Sequence, residues 1–295
     1  MCTAIIDGHL FGRTLDLEGS YGEKVVITPR KFKHEFVYTK ALDQHQAILG
    51  TAHLCDGVPL YYDATNENGL CAAALRFADL TVYRKPMKNR LNLASFEVIP
   101  WLLCNFKSAS EAFASVETLN VTDDEISPAL PSTPLHWMVA DKEYAFVIES
   151  VADGVKIHDN KIGIMTNSPD FPSQIAALKR TVSDKIPGDG SSTSRFIRAH
   201  YAKTNAICEA DGASSISRFF HVMSTVSLPH GYSHGIGGKP MKTLYTSCID
   251  TKNLVYYFTT YTCRQIYGVR LSDCDLNSDE LIIRPMPDEE KISYY

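Results

Sequence analysis

Twelve segments of this chain are runs of β-branched, aromatic and small apolar residues closed off by turn chemistry, and they dictate a fold built mainly from antiparallel sheet. They are CTAII, HLFGRTLD, EKVVITPR, QAILGTAHL, VPLYYDAT, GLCAAALRF, LHWMVAD, YAFVIES, GVKIHDNKIGIMT, LYTSCID, LVYYFTTYT and QIYGVRL. Their connectors include "DG" at 7–8, "NENG" at 66–69, "ADG" at 152–154 and "DTKN" at 250–253, all suited to tight turns, so hairpins should dominate.

Helical spacing appears in ASFEVIPWLLCNF and SASEAFASVETL, the second opening on Ser108 and Glu111 as a capping box, and again in PSQIAALKRTVSDK, TSRFIRAHYAKT and SSISRFFHVMSTV. Strand runs and helical pairs without a regular βαβα alternation predict an α+β fold, with two stacked antiparallel sheets and helices outside. There is no internal repeat, no low-complexity segment and no domain linker. SDKIPGDGSSTS at 183–194 leads straight into a helical pattern and reads as a loop. Residues 1–295 are therefore expected to form a single domain.

The net charge of -5 comes without any run of five or more like charges, which gives no footprint for nucleic acid. Stretches such as VIPWLLCNF are far shorter than a membrane span, and no secretory leader is visible. These features predict a cytoplasmic protein with no nucleic-acid or membrane partner. The eight cysteines, at 2, 55, 71, 104, 208, 248, 263 and 274, show no CxxC pair and no zinc-ligand spacing. They read as reduced thiols that pack as small hydrophobes, with Cys2 the exception. His230 and His234 in PHGYSHGIGGKP lie four apart, but the surrounding Gly and Pro oppose a shared helix face. A Gly-rich run without a preceding strand is equally weak as a phosphate cradle, so no cofactor or metal is expected.

Cys2 is exceptional because removal of Met1 would place nucleophile and base on one residue. A free α-amine titrates near ~7.7–8.0 and a free thiol near ~8.5, so around neutral pH the amine accepts the thiol proton without a histidine. Arg13 on the next strand would favour the thiolate, and Asp16 would hold the amine. As residue types alone, Arg13 and Asp16 fit equally a solvated ion pair at a strand end, which contributes little to stability.

MCTAI, LFGRTLD, VVITPR, YYDATNENGL, LHWMVAD, MTNSPDF and PGDGSSTSRFIRA occur in the order and approximate spacing of the choloylglycine hydrolases, the family of bile salt hydrolases and penicillin V acylases. The chain resembles that family from residue 2 to its C-terminal hairpin. The resemblance implies a four-layer αββα N-terminal-nucleophile (Ntn) hydrolase sandwich that cleaves an amide through an acyl-thioester. It implies Cys2 as nucleophile, Arg13 and Asp16 as the pair beside it, Asn167 as the oxyanion-hole asparagine and Arg195 as the second catalytic arginine. An oxyanion donor is typically worth ~2.7–4 kcal/mol of transition-state stabilisation.

Two departures stand out. The family places Asn in typical bile salt hydrolases, and commonly Tyr in penicillin V acylases, where AALRF puts Arg76. The resemblance implies that this position offers its backbone N–H to the oxyanion, leaving the side chain free to vary. An Arg76 facing the pocket would bind substrate by pairing with the carboxylate of glycine or the sulfonate of taurine, whereas one facing outward would be a solvated strand residue. The segment between Asn167 and Arg195 is also shorter than in the family, so a homo-oligomer is expected but not the family's tetramer.

The resulting expectation is a cofactor-free hydrolase that releases glycine or taurine from conjugated bile salts, a small-molecule N-acyl amide substrate. A penicillin V acylase-like or other N-acyl amide hydrolase is the first alternative. A non-catalytic ligand-binding relative is the second.

Overall fold

The computed structural model describes residues 1–128, 130–181, 185–207 and 212–295. Among them, in chain order, the strands are β1 (Cys2–Asp7), β2 (Leu10–Leu17), β3 (Lys24–Thr28), β4 (Ile48–Cys55), β5 (Val58–Asn66), β6 (Cys71–Arg76), β7 (Leu91–Ala94), β8 (Leu119–Thr122), β9 (Leu135–Ala140), β10 (Ala145–Val151), β11 (Gly154–Asp159), β12 (Ile164–Met165), β13 (Ser233–His234), β14 (Pro240–Asp250), β15 (Val255–Thr260), β16 (Tyr267–Arg270) and β17 (Ile282–Pro285). The α-helices are α1 (Val98–Asn105), α2 (Ala109–Ser115), α3 (Phe171–Arg180), α4 (Ser192–Asn205) and α5 (Ala213–Ser224).

Two large antiparallel sheets result. One runs β12-β1-β2-β14-β15-β16, with β13 also on β14, and the other runs β11-β10-β9-β6-β5-β4-β3-β17. Strand β6 shows why they stack. Its Cys71, Ala73 and Leu75 join Ile5, Phe11 and Leu15 in the core between the sheets. Its Ala72 and Ala74 face the other way, into a second core with Trp137 and with Ile99 and Leu102 of α1. A strand buried on both faces reads as a continuous apolar run, as this one does. Helices α4 and α5 cover the first sheet through Phe196, Ile216 and Phe219. The architecture is the α+β, αββα sandwich expected.

The first hairpin sets the position of everything that follows. β1 and β2 pair from Cys2 opposite Leu15 to Asp7 opposite Leu10, leaving a two-residue loop of Gly8 and His9. Gly8 has φ of +60°, the conformation that a type II′ turn requires at its first central residue. On its other side β2 pairs with β14, and the two backbones approach so closely that a Cβ on Gly12 would lie 2.0 Å from the Ser247 carbonyl oxygen. Only glycine fits there.

GVKIHDNKIGIMT, read as a single strand, divides into β11 and β12, which belong to different sheets. The chain reverses between them because Asn160 Oδ1 accepts from Gly163 N–H at 2.8 Å and Gly163 takes φ of +68°. This crossing carries the chain to the edge of β1 and delivers Asn167 there. The helix expected over 172–185 ends at Arg180, residues 182–184 lying outside the described residues. β17 was not foreseen, and it covers the edge of β3. The described cysteines are free thiols. No helix among the described residues is long and apolar enough to cross a membrane.

Candidate active site

Cys2 opens β1 with 3% of its surface exposed. Met1 extends the strand by one residue, its amine donating to the Asp16 carbonyl at 2.7 Å while Asp16 N–H donates to the Met1 carbonyl at 3.0 Å. Burial is the main reason that the Met1 amine is lowered from its ordinary value.

Arg13 and Asp16 are both buried, which excludes the solvated pair. The backbone of Arg13 belongs to the first sheet, but its Nη1 crosses to the second, donating to the Tyr62 carbonyl at 3.0 Å and the Ala74 carbonyl at 2.7 Å. Burial alone would lower the Arg13 guanidinium; the fields of Cys2, Tyr245, Asp63 and Asp16 outweigh it and leave the group raised. Asp16 Oδ1 accepts from Thr243 Oγ1 at 2.6 Å, and its Oδ2 accepts from Thr14 Oγ1 at 3.3 Å.

Asn167 and Arg195 close the other side. Asn167 Oδ1 accepts from Cys2 N–H at 2.6 Å and from Arg195 Nη2 at 2.8 Å. Arg195 Nη1 donates to the Cys2 carbonyl at 2.5 Å and to Thr3 Oγ1 at 2.7 Å. Burial lowers the Arg195 guanidinium, against the opposing fields of Asp16 and Cys2. Asn167 in turn is pinned from outside. Gln174 Nε2 donates to its carbonyl at 3.1 Å, and the preceding Thr166 carbonyl accepts from His136 Nε2 at 2.7 Å.

Arg76 meets this cluster through its main chain. Its carbonyl accepts from Asn167 Nδ2 at 2.7 Å. The neighbouring Phe77 N–H donates to Pro134, so the backbone polar groups of Arg76 point the opposite way, toward Asn167. Alternation along β6 places the Arg76 side chain with Ala72 and Ala74, on the helix-covered face, and not with Leu75 in the core that holds Cys2. His230 and His234, by contrast, lie exposed and away from this cluster, His230 in the turn before β13 and His234 in β13 itself.

Sequence reading missed a second tier. Asp63 of β5 is fully buried and accepts from Tyr245 OH, from Ser247 Oγ at 2.8 Å and from Tyr256 OH at 2.8 Å. Thr51 Oγ1 and Tyr256 OH are 2.6 Å apart, and Ser247 Oγ also accepts from Arg13 N–H at 3.1 Å. The carboxyl is thus a polar link between the sheets directly behind Arg13. Burial raises its pKa despite Arg13 and the three hydroxyls. A carboxyl raised in the folded state keeps its proton after the unfolded chain has lost its own, so stability falls with pH above the unfolded value and through the folded one. Asp63→Asn removes this dependence. Denaturant titrations of both proteins across the acidic range are expected to show wild type losing ground to the variant as pH rises. A pH-independent difference would contradict this account.

The family described as linear amide C–N hydrolases, choloylglycine hydrolase family, matches residues 2–184 and 181–284. The chain is 40% identical over 323 aligned positions to a bile salt hydrolase/transferase of Lactiplantibacillus plantarum, covering 100% of this chain and 99% of that protein. It is 30% identical over 314 positions to a bile salt hydrolase/transferase of Clostridium perfringens, covering 95% of each. The crystal structure of a mutant conjugated bile acid hydrolase from C. perfringens superposes with a TM-score of 0.90 at 28% identity, covering 100% of this chain and 99% of that one. A penicillin V acylase from Agrobacterium tumefaciens shares the fold, with a TM-score of 0.80 at 19% identity over 96% of this chain and 90% of that one.

Proposed function

The chain belongs to the choloylglycine hydrolase family of linear amide C–N hydrolases, and from that premise we propose that, with Met1 removed, it hydrolyses conjugated bile salts and releases glycine or taurine. The observation that carries this reading is the Cys2 nitrogen held 2.6 Å from Asn167 Oδ1, with two buried guanidinium groups beside it. In the mature chain that nitrogen is the α-amine.

The amine takes the Cys2 thiol proton, and the thiolate attacks the substrate carbonyl. Arg13 supports the developing negative charge from the sheet interface, and Asp16 supplies the field that favours the protonated amine. The oxyanion is received by the Arg76 backbone N–H and by the Asn167 Nδ2 hydrogen not given to the Arg76 carbonyl. The amine then passes its proton to the leaving nitrogen, the C–N bond breaks and an acyl-thioester remains. Water, deprotonated by the same amine, releases the acid and regenerates the thiol. Arg195 ties the Cys2 carbonyl and Asn167 into one unit, so its role is to position both.

Strand alternation favours the outward reading of the Arg76 side chain, which leaves recognition of the leaving group to other residues. Absence of the Asn and Tyr seen elsewhere in the family at this position sustains a second reading, that of a hydrolase for penicillin V or another N-acyl amide. We infer a cytoplasmic homo-oligomer, in which the short segment between Asn167 and Arg195 argues against the family's tetramer.

Assay of the free amine released from glycocholate, taurocholate and penicillin V by the Met1-free protein distinguishes these readings. Glycine and taurine release is expected to exceed cleavage of penicillin V. The opposite ranking favours the second reading. No cleavage of any of the three by protein with an alkylatable Cys2 overturns both substrate classes.

A further inference from the structure

Outside the Cys2 site, two histidines and a cysteine converge on the far side of the second sheet. His34 and His45 lie in the connection between β3 and β4, and Cys104 lies in the last turn of α1. One donor atom from each is within 4.8 Å of the other two. His34 is 5% exposed, and its Nε2 is buried with no hydrogen-bond partner. An unpaired ring nitrogen in the interior is a cost that folded proteins generally avoid.

His45 poses the complementary problem. Its Nδ1 is 2.7 Å from the Gln46 carbonyl and its Nε2 is 2.7 Å from the Phe32 carbonyl. A neutral ring carries one N–H, so one nitrogen turns a lone pair toward a carbonyl. If Nδ1–H donates to Gln46, that lone pair is on Nε2 and faces the Phe32 carbonyl, so ligation requires this 2.7 Å contact to open as the metal takes the oxygen's place. An N–H given to a backbone carbonyl is also how metal-ligating histidines are usually oriented.

We propose that His34, His45 and Cys104 bind a zinc-class divalent cation in a three-ligand site of two imidazole nitrogens and one thiolate sulfur. Two imidazoles at ~2.0–2.1 Å from a tetrahedral zinc have ring centres roughly 5 Å apart. The His34 and His45 rings are 4.8 Å apart, inclined at 60°. On binding, both imidazoles ligate as neutral rings, the Cys104 thiol gives its proton to solvent and the thiolate forms the metal–sulfur bond. The fourth position is open to water. Because the ligands come from a loop and a helix far apart in sequence, no CxxC or HxxxH spacing announces them. The bound ion ties the β3–β4 connection, already fastened by the His34 and Leu42 backbone pair, onto α1.

The test uses the full chain with Cys2→Ala, which removes the competing N-terminal chelator. Chelator-treated protein is titrated with Co²⁺ and then Zn²⁺. One equivalent of Co²⁺ is expected to give a thiolate-to-metal charge-transfer band that Zn²⁺ abolishes, and Zn²⁺ is expected to raise the melting temperature by several degrees. His34→Leu and Cys104→Ala in the same background should lose the band and the shift while still melting cooperatively without metal. A band that persists in Cys104→Ala overturns the site. If either variant fails to fold, the parent decides alone: no charge-transfer band at one equivalent means that the three side chains hold no metal and the proposal is wrong.

Discussion

Cys2→Ser, prepared with Met1 fully removed, is expected to lose at least on the order of 10³-fold in kcat, since removal of a catalytic nucleophile costs up to ~10⁶ in well-studied hydrolases. The hydroxyl is nearly isosteric with the thiol, and the backbone contacts of residue 2 to Asn167 and Arg195 survive the change. The melting temperature should therefore stay close to that of wild type while turnover collapses. Intact-mass measurement must accompany the assay, because a chain that keeps Met1 has an amide where the base should be. Across preparations, activity is expected to scale with the Met1-free fraction. Undiminished turnover by the serine variant, or full activity in chains that retain Met1, would remove the basis for an N-terminal nucleophile.

Asn167→Ala carries the second large effect. Loss of one oxyanion donor typically lowers kcat by ~10²–10³. The same amide also accepts from the Cys2 nitrogen and from Arg195, so its removal leaves two buried donors short of an acceptor. That should lower stability by ~1–3 kcal/mol for each donor left unsatisfied. Steady-state kinetics below the variant's unfolding transition separates the two consequences. A catalytic role requires kcat to fall far more than KM rises, whereas a purely structural role would leave kcat per folded molecule near that of wild type.

The first three proposed site residues were legible for a physical reason: they share one hairpin, and a two-residue turn at Gly8 and His9 fixes which residues face each other. Asn167 and Arg195 came only from family resemblance, because what brings them to Cys2 is the crossing at Asn160–Gly163 and the packing of α4. Arg76 was ambiguous because β6 is small and apolar on both faces, giving no amphipathic pattern to orient its last side chain. Asp63, Tyr245, Ser247 and Tyr256 were invisible for a related reason. Each sits in a strand pattern typical of core, and their meeting depends on which two strands oppose each other across the sheets.

Arg13 has its main chain in one sheet and its guanidinium on carbonyl groups of the other, and Asp63 bridges the same gap in reverse. The sandwich thus lacks a plane along which its halves could slip while the chemistry survives. Thermal inactivation should accordingly have no early phase. Activity and near-ultraviolet circular dichroism are expected to decline along a single curve, so that this enzyme fails all at once rather than by gradual loosening.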